Sequence, residues 1–260
     1  MRRRDFIHSA AVGMVASSTQ LTSKVWKKPE DTDKEFYEFR TYELTSGGQK
    51  NVLSAYFGDV LIPALNRLGC DHVGVFQEIG NSEPPIIYIL IPYPSNRIFL
   101  QSGQLLQEDE LYRSAGLEFH SIPVNNKVFS RYETRLFRAF DGLPKMITPE
   151  AGPRIFELRT YEGYSDDAVR RKIKMFNEGE LELFFKTGLH PVFFGEAIAG
   201  KDLPYLTYML TFEDMIERDA NWKAFIDHPE WKRMAGMTEF ADTVSKIHRT
   251  FLEPLDVSQV

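Results

Sequence analysis

The segment Phe36-Tyr37-Glu38-Phe39-Arg40-Thr41-Tyr42-Glu43 returns about 119 residues later as Ile155-Phe156-Glu157-Leu158-Arg159-Thr160-Tyr161-Glu162. A repeat on this scale constrains architecture more than any local propensity, because each copy must form the same supersecondary unit. The spacing carries Gly69 onto Gly188, and a one-residue slip sets His72, Phe76 and Glu78 on His190, Phe194 and Glu196. Farther on, Tyr88 and Leu90 meet Tyr208 and Leu210, and Ala115-Gly116 meets Ala235-Gly236. The chain reads as a tandem duplication.

Each copy has the same order of elements. The alternating, aromatic-rich E-x-R-T-Y-E segments predict strands. Apolar residues at helical spacing predict helices over 49–68 and 166–187, ended by Gly69 and Gly188. Second strands are expected near 73–78 and 192–197, third strands at 86–91 and 205–212. Helices at about 95–115 and 214–237 and last strands at about 128–137 and 244–252 complete each half. The order βαββαβ is that of the ferredoxin-like unit. Such a sheet carries helices on one face only, so its bare face must be covered. The expectation is an α+β chain of two tandem ferredoxin-like units whose bare sheets pack together as an α/β barrel. A split barrel completed by another chain, hence a homo-oligomer, stays open. The units span 35–140 and 154–253, with a Pro-marked linker at 141–153 and a tail at 254–260.

Residues 1–34 read as a leader and tether. Arg3-Arg4-Asp5-Phe6-Ile7, then a short run of small apolar residues, resembles the twin-arginine signal of bacterial export. This implies the Tat translocase as a partner during export and a periplasmic or extracellular location. Six basic residues against one acidic in residues 1–28 (net +5) leave −11 for the remainder of a chain whose formal charge is −6. That balance disfavours nucleic acid and anionic membranes as partners. No stretch is long enough to stay inserted in a membrane after the leader is removed. A single cysteine rules out an internal disulfide framework and CxxC sites. The histidines show no metal-ligand spacing, and no phosphate loop, nucleophile elbow or dinucleotide fingerprint occurs, so no metal or cofactor is expected.

Alternation divides the repeated strand into two faces. Tyr37, Phe39 and Thr41, with Phe156, Leu158 and Thr160, are expected under the helices. Glu38, Arg40 and Tyr42, with Glu157, Arg159 and Tyr161, are then expected to point into the barrel. There they form either a structural ion pair with a hydrogen-bonded tyrosine or a polar patch that orients a ligand. His190 and His72 are candidate general bases, since a histidine titrates near neutrality. Trp222, Phe225 and Trp231, at near-helical spacing, read as core, and His228 as part of a helix-breaking turn.

The strand motif, the Gly-ended helix and above all Trp222-Lys223-Ala224-Phe225-Ile226-Asp227-His228-Pro229-Glu230-Trp231 together resemble NIPSNAP domains of the dimeric α/β-barrel superfamily. The resemblance covers about residues 35–253, and its first copy departs, with no tryptophan and with Leu111 in the place of Trp231. Relatives in the wider superfamily include cofactor-free mono-oxygenases, haem-handling proteins and isomerases, so fold alone does not choose a reaction. The leading expectation is an exported protein that binds a small, partly apolar ligand in a barrel cavity. The alternative is a cofactor-independent mono-oxygenase or isomerase with His190 or His72 as base and Arg159 or Arg40 stabilising an enolate-like charge. A protein-interaction module is the third. Any ligand contact is expected to weigh toward the second copy, at Arg159, Tyr161 and His190.

Overall fold

The computed structural model describes residues 34–80 and 83–260. Apart from Lys34, the expected twin-arginine leader and tether lie outside the described residues. The first half runs β1 (Phe36–Leu44), α1 (Gln49–Tyr56), α2 (Ile62–Arg67), β2 (Gly74–Glu78) and β3 (Ile86–Tyr93). It continues through α3 (Asn96–Glu108), α4 (Glu110–Ala115) and α5 (Leu117–His120) to β4 (Phe129–Ala139). The second half runs β5 (Ile155–Glu162), α6 (Asp166–Met175), α7 (Leu181–Lys186), β6 (His190–Ala199) and β7 (Tyr205–Phe212). It ends with α8 (Met215–Asp227), α9 (Pro229–Ala235) and β8 (Lys246–Pro254). Among the described residues no helix is long and apolar enough to cross a membrane.

Local chemistry explains the boundaries. Ser95, Ser165 and Asp214 cap α3, α6 and α8 by accepting from backbone N–H groups two or three residues on. His228 caps α9 through its ring nitrogen, with Pro229 at the first helical position, which is the structural role its sequence suggested. Gly69 and Gly188 follow α2 and α7 with φ of 80° and 77°, the left-handed conformation that ends a helix cheaply only in glycine. A single π-turn separates α1 from α2 at Phe57–Leu61 and α6 from α7 at Phe176–Glu180, 119 residues apart.

The eight strands close into one antiparallel barrel in the order β1-β3-β2-β8-β5-β7-β6-β4. Each half contributes four adjacent strands, β4-β1-β3-β2 and β8-β5-β7-β6. The barrel is sealed by β2 on β8 and β4 on β6. It therefore closes within a single chain, and no second chain is needed to complete it. The C-terminal residues 254–260 are not a loose appendage. Leu255 and Gln259 donate their backbone N–H groups to Val75 and Val73 of the first half, and Leu255 joins the first half's core.

The faces are the reverse of the sequence expectation. Tyr37, Phe39, Phe156 and Leu158 meet inside the barrel, together with Phe76, Phe137, Phe193 and Met209. Tyr42 and Tyr161 instead pack outward, each in the core between its own sheet and its own helices. Glu38, Arg40, Glu157 and Arg159 share that outer face. The reason is partner supply. The barrel interior is enclosed by two sheets and filled mainly by rings, whereas the helix side offers donors that neutralise a buried carboxylate. Strand pairing also corrects the alignment of the halves. Glu38 opposes Ile91 and Glu157 opposes Leu210, so Tyr88 corresponds to Thr207, and Ile89 to Tyr208. Likewise Val75 pairs with Ile89 and Phe194 with Tyr208, so Phe194 matches Val75 and not Phe76. A one-residue slip moves a side chain to the opposite face: Phe76 and Tyr88 lie inside the barrel, Phe194 and Tyr208 under the helices.

Candidate functional site

Beneath α8, the second sheet holds a fully buried carboxylate. Glu157 accepts from Arg159 Nη1 at 2.6 Å, from Arg218 Nε at 2.9 Å and Nη2 at 3.0 Å, and from Trp222 Nε1 at 2.8 Å. Burial alone would drive this carboxyl up, but Arg218, Arg159 and Trp222 outweigh it and hold it below the ordinary value. Arg159 lies 4.4 Å from the Trp222 ring, stacked as a cation on an indole. Its Nη2 donates to the Tyr161 hydroxyl at 3.1 Å, which also accepts from Tyr208 at 2.7 Å.

A second buried pair faces the same space. Lys172 Nζ donates to Glu180 at 2.6 Å, and both side chains are almost wholly buried. Glu180 closes the π-turn at Phe176–Glu180, a helix irregularity that recurs at functional sites. Burial pushes its carboxyl above the ordinary value against the pull of Lys172. Arg159, Tyr161, Lys172, Glu180 and Arg218 line a cavity of about 430 Å3 between the second sheet and its helices, walled by Trp222, Phe225 and Trp231. The tryptophan-rich segment is thus core and cavity wall at once.

The first half builds the same frame and fills it differently. Glu38 accepts bidentately from Arg40 at 2.7 and 2.8 Å, and from Tyr93 and Thr134. The π-turn spacing places Leu53 where the second half has Lys172, and Leu61 where it has Glu180. Both leucines are buried in the apolar core. Along α3, Phe99 stands for Arg218 and Gly103 for Trp222. Helix caps at Asp109 and His228 place Tyr112 at the Trp231 position, so the expected counterpart, Leu111, is instead an exposed neighbour.

Of the residues singled out from sequence, Arg159 and Tyr161 line one cavity, with Glu157 buried beside it and bonded to Arg159, and Glu38, Arg40 and Tyr42 form the apolar-backed counterpart. The histidines do not join either group. His190 is exposed at the start of β6, 3.2 Å from Glu217, beside a separate surface groove. His72 sits in an exposed turn with φ of 60°. Sequence reasoning missed Lys172, Glu180, Arg218 and Arg249, all lining the cavity. The available signal was a lysine and a glutamate on the apolar face of a helix, where the first half has leucines. A further cavity of about 620 Å3 opens at one end of the barrel, with Thr41, Arg135, Thr160 and His248 among its lining. Among the described residues no group of three His, Cys, Asp or Glu side chains is placed to hold a metal ion.

The stretch with this cavity, residues 156–259, matches the NIPSNAP family model. The match covers the second half alone. No curated protein matches the chain. Among solved structures, a candidate monooxygenase from Fusobacterium nucleatum aligns over 85% of this chain and 93% of its own, at 11% identity and a TM-score of 0.54. A candidate monooxygenase from Lactobacillus acidophilus aligns over 85% and 94%, at 9% identity and a TM-score of 0.50. At such identities the likeness shows the fold alone: an eight-stranded α/β barrel. Within it, the half that matches the NIPSNAP model is the one whose sheet–helix space is charged and walled by tryptophan.

Proposed function

We propose that this is an exported protein of two tandem ferredoxin-like units, 35–140 and 154–253, whose second unit binds a small, partly apolar molecule. The ligand lies between the sheet and α8, outside the barrel, and the first unit serves as scaffold. The duplication reading is supported by the 119-residue spacing of the strand motifs and π-turns and by the matching strand orders. One observation carries the binding reading. The positions that surround Arg159 are occupied by Lys172, Glu180, Arg218 and Trp222, whereas their first-half counterparts are Leu53, Leu61, Phe99 and Gly103. A fold that closes with leucines has no structural need for a buried ion pair. Mass spectrometry of small molecules extracted from the purified, denatured chain tests it. A species retained by the wild type and lost from Trp222→Ala is the expected result; identical extracts from both would refute it. Export is tested by cell fractionation of a tagged chain with Arg3 and Arg4 replaced by lysine, which should remain in the cytoplasm.

A second reading makes the same cavity catalytic, as in a cofactor-independent mono-oxygenase or isomerase. Glu180 favours it: a buried carboxyl with a raised pKa beside aromatic walls is suited to take a proton from a substrate. The histidines then play no part in proton transfer. Oxygen uptake or isotope exchange from deuterated water with the extracted ligand, lost in Glu180→Gln, separates catalysis from binding.

A further inference from the structure

Arg159 on β5 and Arg249 on β8 stand directly opposite each other across neighbouring antiparallel strands, and both line the second-half cavity. Like charges in that relation repel, because facing side chains in a sheet are only about 5 Å apart at Cβ. The first half avoids the conflict. The residue opposite Arg40 is Thr134, which donates its hydroxyl to Glu38. An arginine at position 249 is therefore not a requirement of the fold.

Charge and hydrogen bonding point the same way. Glu157 is shared between Arg159 and Arg218, Arg218 also pairs with the exposed Asp219, and Glu180 is taken up by Lys172. The four cations lining the cavity, Arg159, Lys172, Arg218 and Arg249, thus outnumber the three carboxylates that pair with them. Arg159 is also more than nine-tenths buried, yet its Nε–H has no acceptor. A buried, ionised donor without a partner is rare in a folded protein and calls for an explanation. Around these donors stand the indoles of Trp222 and Trp231 and the ring of Phe225.

We propose that the cavity is an anion site for a ring-bearing acid, a carboxylate whose apolar part lies against Trp222 and Trp231. Its charged end sits between Arg159 and Arg249, accepting from the free Arg159 Nε–H and relieving the repulsion across the strands. This rests on the binding reading above and sharpens it from a partly apolar ligand to an anionic one. A neutral ligand of the same shape can accept from the donor through a hydroxyl, but it leaves the repulsion between the two arginines in place.

Trp222 and Trp231 supply the readout. In a full-length Trp26→Phe chain they are the two remaining tryptophans, and both face the cavity. Their emission is titrated with trans-cinnamate and with cinnamyl alcohol, its uncharged counterpart. The expected result is saturable quenching by both, with cinnamate bound about tenfold more tightly or better, as charge-assisted hydrogen bonds allow. Arg249→Met, at an exposed position, should fold normally and erase most of that preference, and added salt should reduce it in the wild type. Equal affinity for acid and alcohol, unchanged in Arg249→Met, overturns the anion site while leaving the binding reading in place. Absence of saturable quenching by either compound counts against the cavity as a binding site at all.

Discussion

Glu157 illustrates how a charged group becomes tolerable in the centre of a fold. Its four donors come from a strand and from a helix some sixty residues away, so removing the carboxylate strands two guanidiniums and an indole at once. Glu157→Ala should lower stability by about 3–5 kcal/mol, as for a broken buried pair, measured by urea denaturation. Combining it with Arg159→Ala should cost less than the sum of the two single changes; an additive cycle would mean the side chains act independently. The two buried carboxylates of this half should also leave opposite marks on the pH dependence. Glu157 has a depressed pKa in the fold, so its contribution is present above the ordinary value of 4.5 and is lost as pH falls through the folded value. Glu180 has a raised one. Between 4.5 and that raised value the native state keeps a proton that the unfolded chain has released, so stability declines as pH rises through the window. Glu35 is raised by burial as well, so urea midpoints across this range should decline less steeply in Glu180→Gln than in the wild type. Cys70 has no such role, since burial pushes its thiol up to about 12 and leaves it protonated.

The helices that carry the π-turns offer an internal comparison. The same turn is backed by Leu53 and Leu61 in one half and by Lys172 and Glu180 in the other. Replacing a buried ion pair by apolar residues of similar volume is often neutral or stabilising, whereas removing one partner is costly. Lys172→Leu with Glu180→Leu should therefore melt at or above the wild-type temperature, while Lys172→Leu alone should lose about 3–5 kcal/mol. A double variant as damaged as the single one would show that the pair is needed for folding. Elements of this kind were legible from composition and spacing: the third strand of the second half was expected at 205–212 and runs Tyr205–Phe212. The direction in which each strand faces was not. The motif alternates two faces that both contain rings, and the groups that decide between them, Arg218 and Trp222, lie on α8. Period-two alternation sorts residues into sets but does not say which set meets the other sheet. The slip between Tyr88 and Tyr208 has the same origin, because similar residue types on adjacent positions conceal a change of face.

At the scale of the whole molecule, the barrel exists only because two sheets share one interior. Phe39, Phe76 and Tyr88 from the first half meet Phe156, Leu158 and Phe193 from the second, and no helix of either half covers them. The two seams, β2 on β8 and β4 on β6, join edges that would otherwise carry unpaired backbone groups. Residues 255–260 tighten the first seam by running beside β2. The need for such closure follows from the repeated strand motif, since a sheet with one bare apolar face must find a cover. Which half would hold a charged cavity was foreshadowed by the tryptophan-rich segment, though its role as a wall needed the third dimension. Expressed separately, residues 35–153 and 154–260 should each expose an apolar sheet face and two open edges. The expected outcome is insolubility, or association of each half with a second copy of itself through the bare sheet. Co-expression should restore a soluble one-to-one complex, detectable by analytical ultracentrifugation, and a second half ending at Pro254 should assemble less tightly. Two halves that are each stable, soluble monomers, with no affinity for one another, would contradict the shared interior as the source of the fold's stability.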